Sequence, residues 1–170
     1  MGKFLTIAAA GVALTALAAG CNTSGCQDNG SAIPLAAFYA SDTGSPVTLD
    51  SLAIYGLGAP ADSAVALPGP AIGSVYLPMR ASAPQTAWKI EYRYRDLDTP
   101  ALNDTITLGY ESIPYFASAD CGAMYAYRLR SVVHTTHLID SITVPDSLIT
   151  NVDRTSMQIY FRIATEGDTR

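Results

Sequence analysis

The chain has 170 residues and a formal net charge of −5, with 49% hydrophobic and 15% charged side chains. Its first 20 residues carry one charged side chain, Lys3, so the remainder stands at −6 with Lys89 as its one lysine; there is no basic stripe to track phosphates, and nucleic acid is excluded as a partner. About 150 residues make one domain of ordinary size with its own core, so no second domain is required.

The first stretch reads as an export signal. Lys3 is followed by an apolar run over residues 4–19 that is too short and too Ala-rich to span a bilayer, and Ala19-Gly20 precede a cysteine. Leu17-Ala18-Ala19-Gly20-Cys21 resembles the lipobox of bacterial lipoproteins, with Ala18 where Leu is most usual. The resemblance implies that the Cys21 thiol takes up a diacylglyceryl group, that residues 1–20 are removed and that the new amino terminus is acylated. It also accounts for an odd cysteine count: with Cys21 lipidated, Cys26 and Cys121 remain as one candidate disulfide in an oxidising periplasm. Cleavage after Ala16-Leu17-Ala18 by an ordinary signal peptidase would instead leave three mature cysteines.

Residues 21–32 read as a lipidated tether, polar and Gly-containing, with no apolar period. Asn22-Thr23-Ser24-Gly25 carries no acidic residue of the kind found directly after the lipid cysteine in surface-displayed lipoproteins, which points to the periplasmic face of the outer membrane. From residue 33 to 164 the pattern has period two, which predicts strands. They are expected at 33–40, 52–55, 73–77, 86–95, 104–110, 124–133, 138–144 and 157–163, with 113–116 as a short strand or bulge. Residues 41–46 form the first turn, with Gly44 free to take positive φ, and 56–73 a long connection or ragged edge. In the strongest strand, Trp88, Ile90, Tyr92 and Tyr94 face the core while Lys89, Glu91, Arg93 and Arg95 face water; Tyr125, Tyr127 and Leu129 are the inward set of 124–133. Residues 165–170 are a polar tail. The expected fold is all-β: a single antiparallel β-sandwich of seven to nine strands, immunoglobulin-like or transthyretin-like.

Cys26, the segments Phe38-Tyr39-Ala40-Ser41-Asp42 and Leu52-Ala53-Ile54-Tyr55-Gly56, Asp120-Cys121-Gly122, and the closing Leu138-Ile139-Asp140-Ser141-Ile142 and Ile159-Tyr160-Phe161 resemble a family of small lipoproteins of unknown function from Bacteroidota. The resemblance brings no activity; it implies a paired Cys26 and Cys121 and an address in the cell envelope.

Reactive constellations are few. His134, His137 and Asp140 are the one cluster of metal-ligand types, but on a strand odd separations point to opposite faces, and a third and fourth ligand are missing, so the histidines read as solvated loop residues and no metal is expected. Asp96, Asp98 and Asp104 are reminiscent of a calcium loop. Ala101 stands where the EF-hand turn needs glycine and Thr107 where it needs glutamate, so ordinary turn chemistry is favoured. No Gly-x-Ser-x-Gly elbow or Ser-x-x-Lys occurs, hence no enzyme and no cofactor are expected. Arg93, Arg95, Arg128 and Arg130 would share one sheet face if their strands are neighbours, forming a candidate ligand or partner face. Asp-Ser/Thr-aliphatic triplets resemble acceptors for O-linked glycans, with Ser51, Ser63, Thr105, Ser141 and Ser147 as acceptor residues; as turn-to-strand junctions they need no modification.

The expected function is that of a membrane-anchored cell-envelope lipoprotein with a non-catalytic binding or structural role. Its partners are the bilayer, through the acylated amino terminus, and an envelope protein or glycan. The alternatives are an adhesion or fimbria-associated subunit using strand addition and a carbohydrate-binding module.

Overall fold

Alternation along the chain becomes two facing sheets. A computed structural model describes residues 32–58, 64–118 and 122–163. The strands are β1 (Leu35–Ala40), β2 (Leu52–Gly56), β3 (Ala64–Ala66), β4 (Ser74–Tyr76), β5 (Gln85–Tyr92), β6 (Asp104–Ser118), β7 (Gly122–His134), β8 (Ile139–Thr143), β9 (Leu148–Ile149) and β10 (Thr155–Phe161). The smaller sheet runs β4-β1-β10-β8 and the larger β3-β2-β5-β6-β7-β9. Among the described residues there is no α-helix, only two single-turn 3₁₀ segments, Arg95–Leu97 and Pro100–Leu102.

The core is the set of inward residues of both sheets. Ala36, Phe38, Met157, Ile159, Phe161 and Ile139 come from the smaller sheet, and Ile54, Trp88, Ile90, Ile106 and Leu108 from the larger. Their spacing by two along each strand puts them all on one side, and their removal from water drives the two layers together. Phe161 bridges the layers, edge-on to Phe38 at 5.4 Å and to Tyr92 at 6.4 Å.

The all-β sandwich is as expected; several details differ. Among the described residues there are ten strands rather than seven to nine, because β3 and β9 are edge pieces of three and two residues that are too short to show a period. The sheets are not wholly antiparallel: β1 and β10 pair in parallel, from Leu35↔Thr155 to Ala40↔Phe161. Periodicity reports which side a residue faces and is blind to strand direction. Tyr94 is not core. β5 stops at Tyr92 and the chain turns at Arg95, whose φ is 46°, leaving Tyr94 exposed with the Arg95 guanidinium 4.9 Å from its ring centre. Residues 104–110 and 113–116 belong to one strand of 15 residues, with register shifts at Gly109/Tyr110 and Phe116/Ser118, on either side of 113–116. At Gly109 a Cβ would lie 2.4 Å from Ser131 Oγ, so that hydroxyl would have to rotate away from any larger residue. Gly44 takes the positive φ expected of it, 67°, and donates its N–H to Ala40.

β6 and β7 outrun their neighbours. Gln85, the first residue of β5, pairs with Gly109, and β9 reaches only Tyr127 and Arg128, so from Ile113↔Ala126 outward β6 and β7 pair with each other alone. This two-stranded ribbon leaves the sandwich at the end where β1 and β10 begin and β4 finishes.

Candidate functional site

Two clefts mark the two ends of the sandwich. The ribbon end holds one of about 470 Å³ between Gly56, Val65, Tyr76, Met79, Arg80 and Trp88. Arg80 is fixed there by the hydroxyl of Tyr110, which accepts from its N–H and donates to its C=O, both at 2.9 Å, and by a bond from its guanidinium to Leu57 O. The opposite end holds a cleft of about 410 Å³ lined mainly by Tyr92, Tyr94, Leu97, Leu138, Phe161 and Ile163, with Asp50 and Arg162 as its charged members. Both volumes lie in the range of small-molecule pockets.

Next to this second cleft lies the most constrained charge among the described residues. Asp104 opens β6 with its side chain fully buried. Its Oδ1 accepts from the Thr135 hydroxyl at 2.6 Å and the His137 N–H at 2.9 Å; its Oδ2 accepts from the Tyr92 hydroxyl at 2.9 Å and the N–H groups of Leu138 and Ile139 at 2.8 and 2.9 Å. Burial pushes the carboxyl pKa up. The Thr135 hydroxyl and the three backbone N–H groups more than reverse this and hold it below the usual carboxylate value. Tyr92 is driven the other way, above the ordinary tyrosine value, first by burial and then by the Asp104 charge, so it remains a donor. With five donors on two oxygens the carboxylate has no capacity left for proton transfer to a substrate.

Of the histidine cluster, His137 joins this cage, whereas His134, expected as a solvated loop residue, lies half-buried in β7. His137 places Nδ1 2.8 Å from Asn103 O, while Arg162 donates to Thr136 O at 2.6 Å and pairs with Asp140 at 2.9 Å. His134 ends β7 opposite Ile106. Among the described residues no group of three or more His, Cys, Asp or Glu is placed to hold a metal ion. Of the acidic loop, Asp98 pairs with Arg93 at 3.1 Å, and Asp104 points inward, away from any shared calcium site.

The four arginines do not converge. β6 lies between β5 and β7, and the register puts Arg93 and Arg95 beyond Asp104, at the opposite end of β6 from Arg128 at Glu111. Seven residues of strand separate the two groups, about 23 Å. Each group is interleaved with an acid. Lys89 and Arg93 both lie 2.6 Å from Glu91, and Lys89 first, against some burial and then with Arg93, lowers its pKa. Arg128 lies 3.9 Å from Glu111, to which Arg130 also bonds. The Glu111 pairs are solvent-exposed, so Glu111→Gln is expected to change the unfolding free energy by no more than about 1 kcal/mol in urea titration.

Among the described members of the glycan-acceptor set Ser147 is exposed, in a turn where Asp146 Oδ1 takes the Leu148 N–H at 2.8 Å, and Ser51, Thr105 and Ser141 are half-buried. Ser63, Cys21, Cys26 and Cys121 lie outside the described residues, and with them the lipidation site and the candidate disulfide. Two features escaped the sequence reading. The Asp104 cage takes four of its five donors from Thr135 to Ile139, more than 30 residues away in sequence, and the fifth from Tyr92, and the ribbon emerges only once the partners of β6 are known. Tyr125, expected inward, lies on that ribbon and is exposed, because the smaller sheet does not extend over it.

No curated protein and no solved structure matches the chain. One family model does, over residues 51–161, from the residue before β2 to the last of β10, so both the Asp104 cage and the ribbon fall within the matched span. The chain belongs to the family of unknown function DUF6452.

Proposed function

We propose that the protein is a lipoprotein of the cell envelope, held by acyl chains on Cys21 at the periplasmic face of the outer membrane and serving a non-catalytic binding or structural role. The observation that carries this reading is the stretch Leu17-Ala18-Ala19-Gly20-Cys21, set eleven residues before Ala32, the first described residue, which is buried. A non-catalytic role is supported by the state of Asp104, the one buried charged residue among the described residues, whose lone pairs are consumed by structural donors. A binding role is supported by the apolar cleft beside it, at the end of the sandwich away from the start of β1.

Within this reading Cys26 and Cys121 form one disulfide. Cys26 lies six residues before Ala32, Cys121 lies in sequence directly before Gly122 of the ribbon, and β1 starts at the ribbon's end of the sandwich. The bridge therefore asks for no crossing of the domain.

Labelled palmitate fed to cells is expected to enter the wild-type chain and to be absent from Cys21→Ser, which moves from the membrane to the soluble envelope fraction. Unlabelled wild-type protein in the soluble fraction would refute the anchor.

A further inference from the structure

We propose that the ribbon end of the sandwich is seated on a lipid bilayer through Phe116, Tyr125 and Val152. This rests on the acyl-anchor reading and adds to it an orientation and a contact surface.

Residues directly opposite in an antiparallel pair share a face. Ser112 faces Tyr127, Pro114 faces Tyr125, and Phe116 faces Ala123. Tyr127 is buried against Tyr110, ring centres 5.2 Å apart, so Pro114, Tyr125 and Phe116 continue the core-facing side of the larger sheet past the edge of the smaller one. Nothing among the described residues covers them: Phe116 is 72% exposed and Tyr125 41%. Val152, 60% exposed, stands at the same end, in the turn before Thr155, the β10 residue that pairs with the first residue of β1. Of the nine large hydrophobic residues exposed among the described residues, these three and Leu57, Tyr76 and Leu148 all lie at the ribbon end. A patch so polarised, on a two-stranded element that is marginal by itself in water, calls for an apolar phase.

The chain outside the described residues says which phase. Ala32 leads into β1 at this end, where Pro34 O takes the Leu77 N–H. From Ala32 back to Cys21 are eleven residues, which span at most about 40 Å fully extended. The ribbon from Ile113 to Ser118 projects about 17 Å, so an acylated Cys21 holds the aromatic face within reach of the interface. Phe and Tyr suit that depth, apolar in the body and, for Tyr, polar at the tip. Arg128 and Arg130 share the Glu111 carboxylate at the ribbon's base, which leaves positive charge where phosphate headgroups would lie. Strand addition by a second copy is the poorer fit, because Pro114 removes a donor from the free edge of β6.

The test uses the full, acylated chain in vesicles of phosphatidylethanolamine and phosphatidylglycerol, with and without brominated phosphatidylcholine. Phe116→Trp and Val152→Trp, each read as the difference from wild type, whose buried Trp88 supplies the baseline, are expected to give added blue-shifted emission that bromolipid largely removes, whereas the added emission of Val133→Trp, exposed on the outer side of β7, is kept. Vesicle-bound protein in which all three positions respond alike, or none is quenched, overturns the inference and leaves the anchor standing. A blue shift at 116 without bromolipid quenching assigns the ribbon to a second copy and also overturns it. Wild-type chain that fails to float with the vesicles removes the anchor, and the inference with it.

Discussion

Asp104→Ala is expected to cost about 3–5 kcal/mol of folding free energy, the scale of breaking a buried, fully hydrogen-bonded charge site by removing one partner. The substitution strands three backbone N–H groups, of His137, Leu138 and Ile139, together with the hydroxyls of Tyr92 and Thr135. Each lost partner costs about 1–3 kcal/mol where water cannot substitute; a water entering the vacated space limits the sum. Since a domain of this size is stable by about 5–15 kcal/mol, the variant sits near the limit of folding. Urea unfolding followed by the emission of Trp88, buried in the centre of the larger sheet, measures the loss directly. A change below about 1 kcal/mol would show that the segment from Thr135 to Ile139 holds its path without the carboxylate.

The same residue makes stability depend on pH. Its pKa is lower in the folded protein than in the unfolded chain, so the unfolded state binds the extra proton. The stabilisation is therefore fully present above the unfolded value of about 4 and is lost as pH falls from there through the folded value. Wild-type protein is expected to weaken over that acid window, and Asp104→Asn to show a shallower slope across it. Parallel slopes would assign the acid sensitivity to other carboxylates.

Phe161→Ala is expected to cost about 3–5 kcal/mol, the range for emptying a buried aromatic position. Phe161 is fully buried, packed edge-on against Phe38 within its own sheet and Tyr92 across the core. Tyr92 is also a donor to Asp104, so the two sites share a partner. The double variant Asp104→Ala with Phe161→Ala should fall short of the sum of the single losses, by about 0.5–3 kcal/mol. Strict additivity in the same urea titrations would mean that Tyr92 keeps its place when either neighbour is gone.

What the sequence disclosed, and what it hid, follows from the range of each interaction. Trp88, Ile90 and Tyr92 alternate with Lys89 and Glu91, and the assignment of β5 to a half-buried sheet needed only that local pattern. β6 was harder. Gly109, Glu111, Ser112 and Pro114 interrupt its apolar rhythm, because that part of the strand either sits at a register shift or leaves the sandwich, and so has no core to alternate against. Asp104 looked like a turn residue because a short acid in a loop usually is one; the donors that bury it arrive from Thr135 to Ile139, brought near only when β7 folds back beside β6. The arginine face failed for a related reason. Alternation correctly put Arg128 and Arg130 on exposed positions, but which strand stands beside which is decided by tertiary pairing, and β6 came between.

The parallel pairing of β1 with β10 sets an order of events. β5, β6 and β7 are joined by neighbouring stretches of chain and can zip up early, whereas the layer centred on β1 must wait for its partner from the far end of the domain. Until then Phe38 has no Phe161 to meet, and half of the core stays wet. A chain threaded across a membrane amino end first would thus remain loose and translocatable until its last strand is through, and would be most exposed to proteases and clumping in that interval.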